Sequence, residues 1–183
     1  RKFFAQHSKC KPVDGPVPDP LYRDKTTSYV SHVNMTFIPN SINIRGLNGR
    51  IEEFYINRVT DKLVLAVEFT NLNASSDYVY MRLHRRAQEP IVVRDHHLIK
   101  IYFSDSLSMT IIIPNLKNLQ LEKSEVFAYA SDSRLILGPN LAANGKMMAN
   151  YQITVREILL NDTPFYVASY VQYNICDFGV YIP

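Results

Sequence analysis

The 183-residue sequence has no tryptophan, only two cysteines and only six glycines. Scarce glycine leaves no Gly-rich loop to cradle a phosphate, no dinucleotide fingerprint and no Gly-x-Ser-x-Gly elbow. No apolar run approaches the ~18 residues of a membrane span. The longest, Leu63–Val67 and Ile111–Ile113, are strand-sized. Charge of one sign is also lacking: 20 basic against 17 acidic residues give a net +3, too mild for a nucleic-acid binder. The one basic cluster, His84-Arg85-Arg86 with Arg82 and Arg94 near it, reads as a solvated hairpin end. The five histidines, at 7, 32, 84, 96 and 97, lack ligand spacing. Adjacent His96 and His97 point to opposite sides of a strand, so no metal site is expected. Carboxylate pairs such as Glu52-Glu53 and Glu122 with Glu125 read as solvated faces. The expectation is a protein that is not an enzyme and needs no cofactor.

What is present points outside the cell. Cys10 and Cys176 stand near opposite ends with none between, which in an oxidising compartment reads as one disulfide tying the two termini together. A loop this long would stabilise the fold by about 5 kcal/mol in the chain-entropy model. The first residue is Arg1 rather than methionine, as expected of a processed chain. Asn34-Met35-Thr36 and Asn73-Ala74-Ser75 are N-glycosylation acceptors expected in loops. Asn161-Asp162-Thr163 matches too, but Pro164 follows it, and Asn174-Ile175-Cys176 is a weak acceptor. The localisation expected is secreted and extracellular.

Hydrophobic residues make up 46% of the chain, too many for disorder. Residues 1–31 read as a proline-rich N-terminal arm, since Lys11–Pro20 holds four prolines and a glycine. Residues 32–183 read as a single β-rich domain with a C-terminal helix. Strands are expected at Val33–Ile38 and Ser41–Arg45 on either side of a Pro39-Asn40 turn, with Asn48-Gly49 marking a hairpin. Then come Ile51–Val59, Leu63–Thr70 (buried on both faces), Tyr78–His84, Ile91–Arg94, Leu98–Phe103, Leu107–Ile113 and Glu125–Ala130, with a polar loop over Asn71–Asp77. In the last strand Val126, Ala128 and Ala130 alternate with Phe127 and Tyr129. Tyr151–Leu160 is strand or helix, and Thr163-Pro164 reads as the start of a helix over Phe165–Ile175 with Val167, Tyr170, Val171 and Ile175 on one stripe. The fold class is therefore mainly β (α+β), an antiparallel sandwich or a curved sheet with the C-terminal helix packed on it.

Twelve tyrosines give the chain a binding character, because the ring packs while the hydroxyl seeks a partner. Tyr78, Tyr80, Tyr102 and Tyr129 are candidates for a glycan or partner surface. The alternative is that tyrosines fill a sheet–helix interface.

Ile175-Cys176-Asp177-Phe178-Gly179, with Tyr170 and Tyr173 before it, resembles the carboxyl end of the lepidopteran fibrohexamerins. Glu53–Asn57, Lys62–Val67 and Leu72–Asp77 resemble a second block of that family. The resemblance implies a secreted, non-catalytic insect glycoprotein that associates with fibroin in silk and keeps it soluble. Silk members carry more cysteine, so this chain resembles a cysteine-poor paralogue, of the silk-gland lumen or of haemolymph. Partner readings are a fibroin-like protein or a polysaccharide such as β-glucan. A lipid or hormone carrier, with a cavity between curved sheet and helix, is a further alternative.

Overall fold

The computed structural model describes residues 1–96, 99–103, 106–130, 133–145 and 151–179, with the backbone alone at 99–103 and 151. Among them, antiparallel strands wrap a long C-terminal helix. Two long strands, β4 (Met35–Arg45) and β7 (Asn73–Arg85), pair from Met35↔Leu83 to Arg45↔Asn73 and form the spine of the larger sheet. Each spine strand is flanked by two shorter ones in series. Outside β4 lie β2 (Leu21–Lys25) and β3 (Ser28–Val30); outside β7 lie β9 (Ile99–Phe103), itself joined by β12 (Ser133–Ile136), and the hairpin partner β8 (Gln88–Asp95). The smaller sheet has the order β11-β10-β6-β5, from Glu125–Ala130, Leu107–Pro114, Lys62–Phe69 and Arg50–Asn57.

Period-2 alternation sets what each strand buries. Leu63, Leu65, Val67 and Phe69 of β6 and Leu107, Met109, Ile111 and Ile113 of β10 face inward from the smaller sheet. Met35, Phe37, Ile42 and Ile44 of β4 and Val79, Met81 and Leu83 of β7 face inward from the larger one, and all join one core. On the opposite face of β6, Val64 is buried but Ala66 and Glu68 are half-exposed, so this strand is not covered on both sides throughout.

The helix, α3 (Tyr151–Asn174), touches β3, β10, β11, β12 and the two-residue strand β13 (Cys176–Asp177). Six consecutive residues, Tyr166–Val171, are buried. Such a run is a helix enclosed on every side rather than one lying on a surface. Mainly β architecture with a C-terminal helix packed on a curved sheet is therefore the observed class.

Several local expectations are corrected. Thr163-Pro164 does not begin the helix; α3 is already helical from Tyr151, with Pro164 inside it. Pro164 has no N–H for the Leu160 carbonyl; beside it, Thr163 Oγ1 donates to the Leu159 carbonyl at 2.9 Å. Nor does Pro39-Asn40 divide two strands. β4 runs through it with one left-handed residue, Ser41 (φ 51°). Pro39 is tolerated because the neighbouring edge is interrupted there, between β2 and β3. Asn48-Gly49 makes no hairpin: the chain passes from the larger to the smaller sheet between β4 and β5, turning at Gly46 (φ 84°). Asn71–Asp77 is a loop only at its start, since β7 begins at Asn73.

The N-terminal stretch begins with a short helix, α1 (Lys2–His7), then β1 (Lys11–Pro12), which pairs with β13. The proline run beyond it holds no helix. Gly15 passes so close to the end of α3 that a Cβ there would sit 2.6 Å from the Tyr173 carbonyl oxygen. Val17 is fastened by Asn48, whose amide accepts from the Val17 N–H at 2.8 Å and donates to its carbonyl at 2.9 Å.

Candidate functional site

Three parts of the molecule carry chemistry: the joint between the termini, a polar seam beneath α3, and the outer faces of the two sheets. At the joint, Cys10 and Cys176 form the expected disulfide, with Sγ–Sγ 1.99 Å and Cα–Cα 5.5 Å. Ser8 Oγ donates to the Phe4 carbonyl at 2.6 Å and lies 2.7 Å from Cys10 Sγ. Phe4 is buried, edge-on to Phe178 at 6.1 Å and tilted against Phe54 at 6.0 Å, while Phe3 stacks on His7 at 4.1 Å. A six-residue helix has too few internal hydrogen bonds to persist alone; these rings hold α1 in place.

The seam lies where α3 crosses residues 23–33. Asp162, 8% exposed, accepts at Oδ1 from Thr26 Oγ1 (3.0 Å) and Arg23 Nη1 (3.4 Å). The Arg23 guanidinium lies 4.1 Å from the centre of the Phe165 ring. One residue earlier, Asn161 donates to the Tyr29 carbonyl at 3.0 Å. A turn before that, Glu157 accepts from the Ser31 N–H (2.6 Å) and hydroxyl (2.8 Å), with His32 Nδ1 3.5 Å away and His32 Nε2 paired with Thr154 Oγ1 at 3.1 Å. The seam's two carboxyls are pushed in opposite directions. Burial raises Asp162 above the ordinary aspartate value, opposed but not outweighed by Arg23 and Thr26. For Glu157, burial also pushes upward, but the two Ser31 hydrogen bonds and His32 prevail and hold it below the ordinary range. Tyr166, fully buried beside Asp162, is raised well above a free tyrosine, first by burial and then by the Asp162 charge.

The cavity between this seam and the larger sheet, lined by Phe37, Ile44, Ala74, Asp162 and Tyr166 among others, measures about 20 Å³. That is room for about one water, far below the roughly 300 Å³ at which small-molecule pockets begin. A larger recess of about 200 Å³ lies between β11 and the first half of α3, with Tyr129, Ser133, Gln152 and Arg156 in its walls.

The outer faces differ. On the smaller sheet, register places Phe127 beside Thr110, Ala66 and Glu53, and Tyr129 beside Ser108, Glu68 and Arg50; Glu125, Ile112, Val64 and Tyr55 form the third row. Phe127 is 56% exposed and Tyr129 70%; Tyr55 is also open. Most charges here are paired: Arg50 meets Glu52 (2.7 Å) and Glu68 (3.0 Å), and Lys62 meets Glu125 (4.0 Å), leaving the carboxylates in excess. Phe127 and Tyr129 point outward because the intervening Ala128 and Ala130 face the helix side, where a small side chain lets α3 approach.

The four candidate tyrosines are not on one face. Tyr129 belongs to the smaller sheet. Tyr78 and Tyr80 are half-exposed on the outside of the larger sheet, Tyr78 with its ring 4.6 Å from that of His96, and Tyr80 beneath the Arg94 guanidinium at 5.6 Å. Tyr102 lies in β9 opposite Asn73, and its side chain is outside the described residues. Helical Tyr166 and Tyr170 are interface residues: both are buried, and Tyr170 meets Phe69 edge-on at 5.8 Å. Asn34 is exposed and left-handed (φ 51°), its amide donating to the His84 carbonyl at 3.2 Å and accepting from Tyr29 Oη at 2.8 Å. Asn73 opens β7, half-buried between β4 and β9. His97 and Tyr181 lie outside the described residues.

Among the described residues no three His, Cys, Asp or Glu side chains gather as metal ligands, and no helix is long and apolar enough to cross a membrane. Against this geometry, the family model Fibroin P25 matches residues 1–180. The chain belongs to the Fibroin P25 family. A fibrohexamerin of Galleria mellonella is 26% identical over 188 residues, covering 98% of this Fibroin P25 chain and 84% of that protein. The crystal structure of Epiphyas postvittana Takeout 1 superposes with a TM-score of 0.51 at 13% identity, over 78% of this chain and 66% of that one. The second likeness is one of fold alone.

Two functional features escaped the sequence reading. Phe127 was seen to alternate with alanines, but which set faces solvent depends on where the helix lies. Asp162 was visible only as the middle of an acceptor triplet; its one sequence signal, an acid inside an apolar helix, was available.

Proposed function

We propose that this protein is a secreted, non-catalytic binding glycoprotein that acts as an assembly partner of a fibroin-like silk polypeptide. Membership of the Fibroin P25 family over residues 1–180 supports the partner class. The observation that carries the reading is the outer face of the smaller sheet. Exposed Phe127, Tyr129 and Tyr55 form an aromatic surface on which Arg50, Lys62, Glu68 and Glu125 are already paired and Glu53 alone stands without an ion pair among the described residues. Such a surface matches a weakly charged polypeptide: aromatic anchors supply the burial, and the paired charges need not be stripped of water singly. The disulfide suits an oxidising lumen, and glycans on Asn34 and Asn73 would leave the smaller sheet uncovered.

The test is retention of fibroin from silk-gland lumen on the immobilised protein, compared with Phe127→Ala/Tyr129→Ala. Both side chains are exposed, so the variant should melt like the parent while its retention falls by about tenfold or more. Failure of the parent to retain fibroin at any concentration would sink the reading, as would full retention by the variant.

A further inference from the structure

The outer face of the larger sheet is cationic, whereas carboxylates outnumber cations on that of the smaller. Register lays it out in rows: Lys25–Asn40–Tyr78, then Ile38–Tyr80–Arg94, then Tyr29–Thr36–Arg82–Val92, with Arg85 and Arg86 at the hairpin end. Arg82, Arg85, Arg86 and Arg94 are all exposed, and among the described residues none of them is in an ion pair. Arg85 is tied back to the Glu89 carbonyl at 2.7 Å. Arg94 rests over Tyr80, and His96 against Tyr78. These rings are occupied by the protein's own side chains, so they brace cations rather than offer open platforms. The exposed carboxylates nearby are Asp77 and Glu89 toward the rim and Asp24 beside Lys25.

We propose that this face recognises an extended acidic segment of a polypeptide, one with carboxylates on alternate residues. Successive rows along β7 are two residues apart, about 7 Å, which is also the spacing of same-side side chains in an extended peptide. Arginine's planar fork matches a carboxylate in two hydrogen bonds. A row of uncompensated guanidinium groups also raises the local concentration of such a segment before contact. An acidic polysaccharide would meet the same cations, so chondroitin sulfate is the competing ligand in the test. This surface stands apart from the aromatic face of the smaller sheet and does not depend on it.

Fluorescence anisotropy with a labelled peptide of alternating Glu and Ser tests the assignment, with the Gln–Ser peptide and chondroitin sulfate alongside. The Glu peptide should bind and weaken steeply as salt rises, and the Gln peptide should not bind. Arg82→Ala/Arg94→Ala should weaken binding about tenfold, whereas Arg58→Ala, an exposed arginine in the β5–β6 turn, should leave it unchanged. The double variant should retain the parent's melting curve and its fibroin retention, which keeps this result separable from that of the aromatic face. Equal binding of the Gln peptide, undiminished binding by the folded double variant, or tighter binding of chondroitin sulfate would each overturn the proposal.

Discussion

At one end of the molecule the N-terminal segment is held to the C-terminal one by a disulfide, a two-residue ladder between β1 and β13, and the rings of Phe3, Phe4, Phe54 and Phe178. At the other end the same segment is held to α3 by Asp162, Asn161 and Glu157, reaching residues 23–32 through hydrogen bonds and charge. The first joint acts largely on the unfolded chain, by forbidding its ends to separate. The second acts within the folded state and depends on every buried polar atom finding its partner. One joint should therefore respond to reductant and the other to substitution and acid.

Breaking the disulfide is the largest perturbation. Cys10→Ala/Cys176→Ala frees a loop with a sequence separation of 166, which the chain-entropy model values at about 5 kcal/mol. Urea unfolding should show that loss, and native-state hydrogen exchange should show Lys11 and Asp177 opening while the Asn161–Tyr29 contact stays protected. If the far seam opens equally, the two joints are one cooperative unit.

Asp162→Ala comes next. It strands Arg23, whose side chain is only 14% exposed, and loss of one member of a buried pair costs about 3 kcal/mol or more. Asp162→Asn keeps the Thr26 hydrogen bond and the shape, so it should cost less. Equal losses in the two variants would mean that the ion pair with Arg23, and not the hydrogen bond, holds this end. Glu157→Gln is milder, about 1 kcal/mol, since the carboxylate is partly open to water and Ser31 can still donate to an amide oxygen.

The first joint was legible in the sequence and the second was not, for a physical reason. Two cysteines can pair only with each other, so Cys10–Cys176 needs no knowledge of geometry. The alternation that buries Val79, Met81 and Leu83 is likewise local. The seam depends on which turn of α3 meets which residue of β3, and that follows from the helix beginning at Tyr151 instead of Thr163. Pro164 suggested a start because proline fits a first turn, but tertiary enclosure of the helix carries the chain through it. Asn48 misled in the same way: an Asn-Gly pair forms a tight hairpin only if both flanking strands join one sheet, and here they join two.

Acid separates the two carboxyls of the seam from one another. Asp162 is raised in the folded state by burial, so across the interval above the ordinary aspartate value of about 3.9 the native chain holds a proton that the unfolded chain has released. Its contribution is complete below that ordinary value and is lost as pH rises through the folded one. Glu157 is lowered, so its contribution is present above the ordinary glutamate value of about 4.3 and is lost as pH falls through its folded value. On acidification from neutrality, urea midpoints should first rise as Asp162 takes its proton and then fall as Glu157 loses its charge. Asp162→Asn should abolish the rise and keep the fall; Glu157→Gln should do the reverse. Removing the disulfide leaves both seam carboxyls and their partners in place, so Cys10→Ala/Cys176→Ala should shift the whole profile downward with its shape unchanged. A changed shape in that variant would show that the aromatic joint and the polar seam communicate through the helix between them.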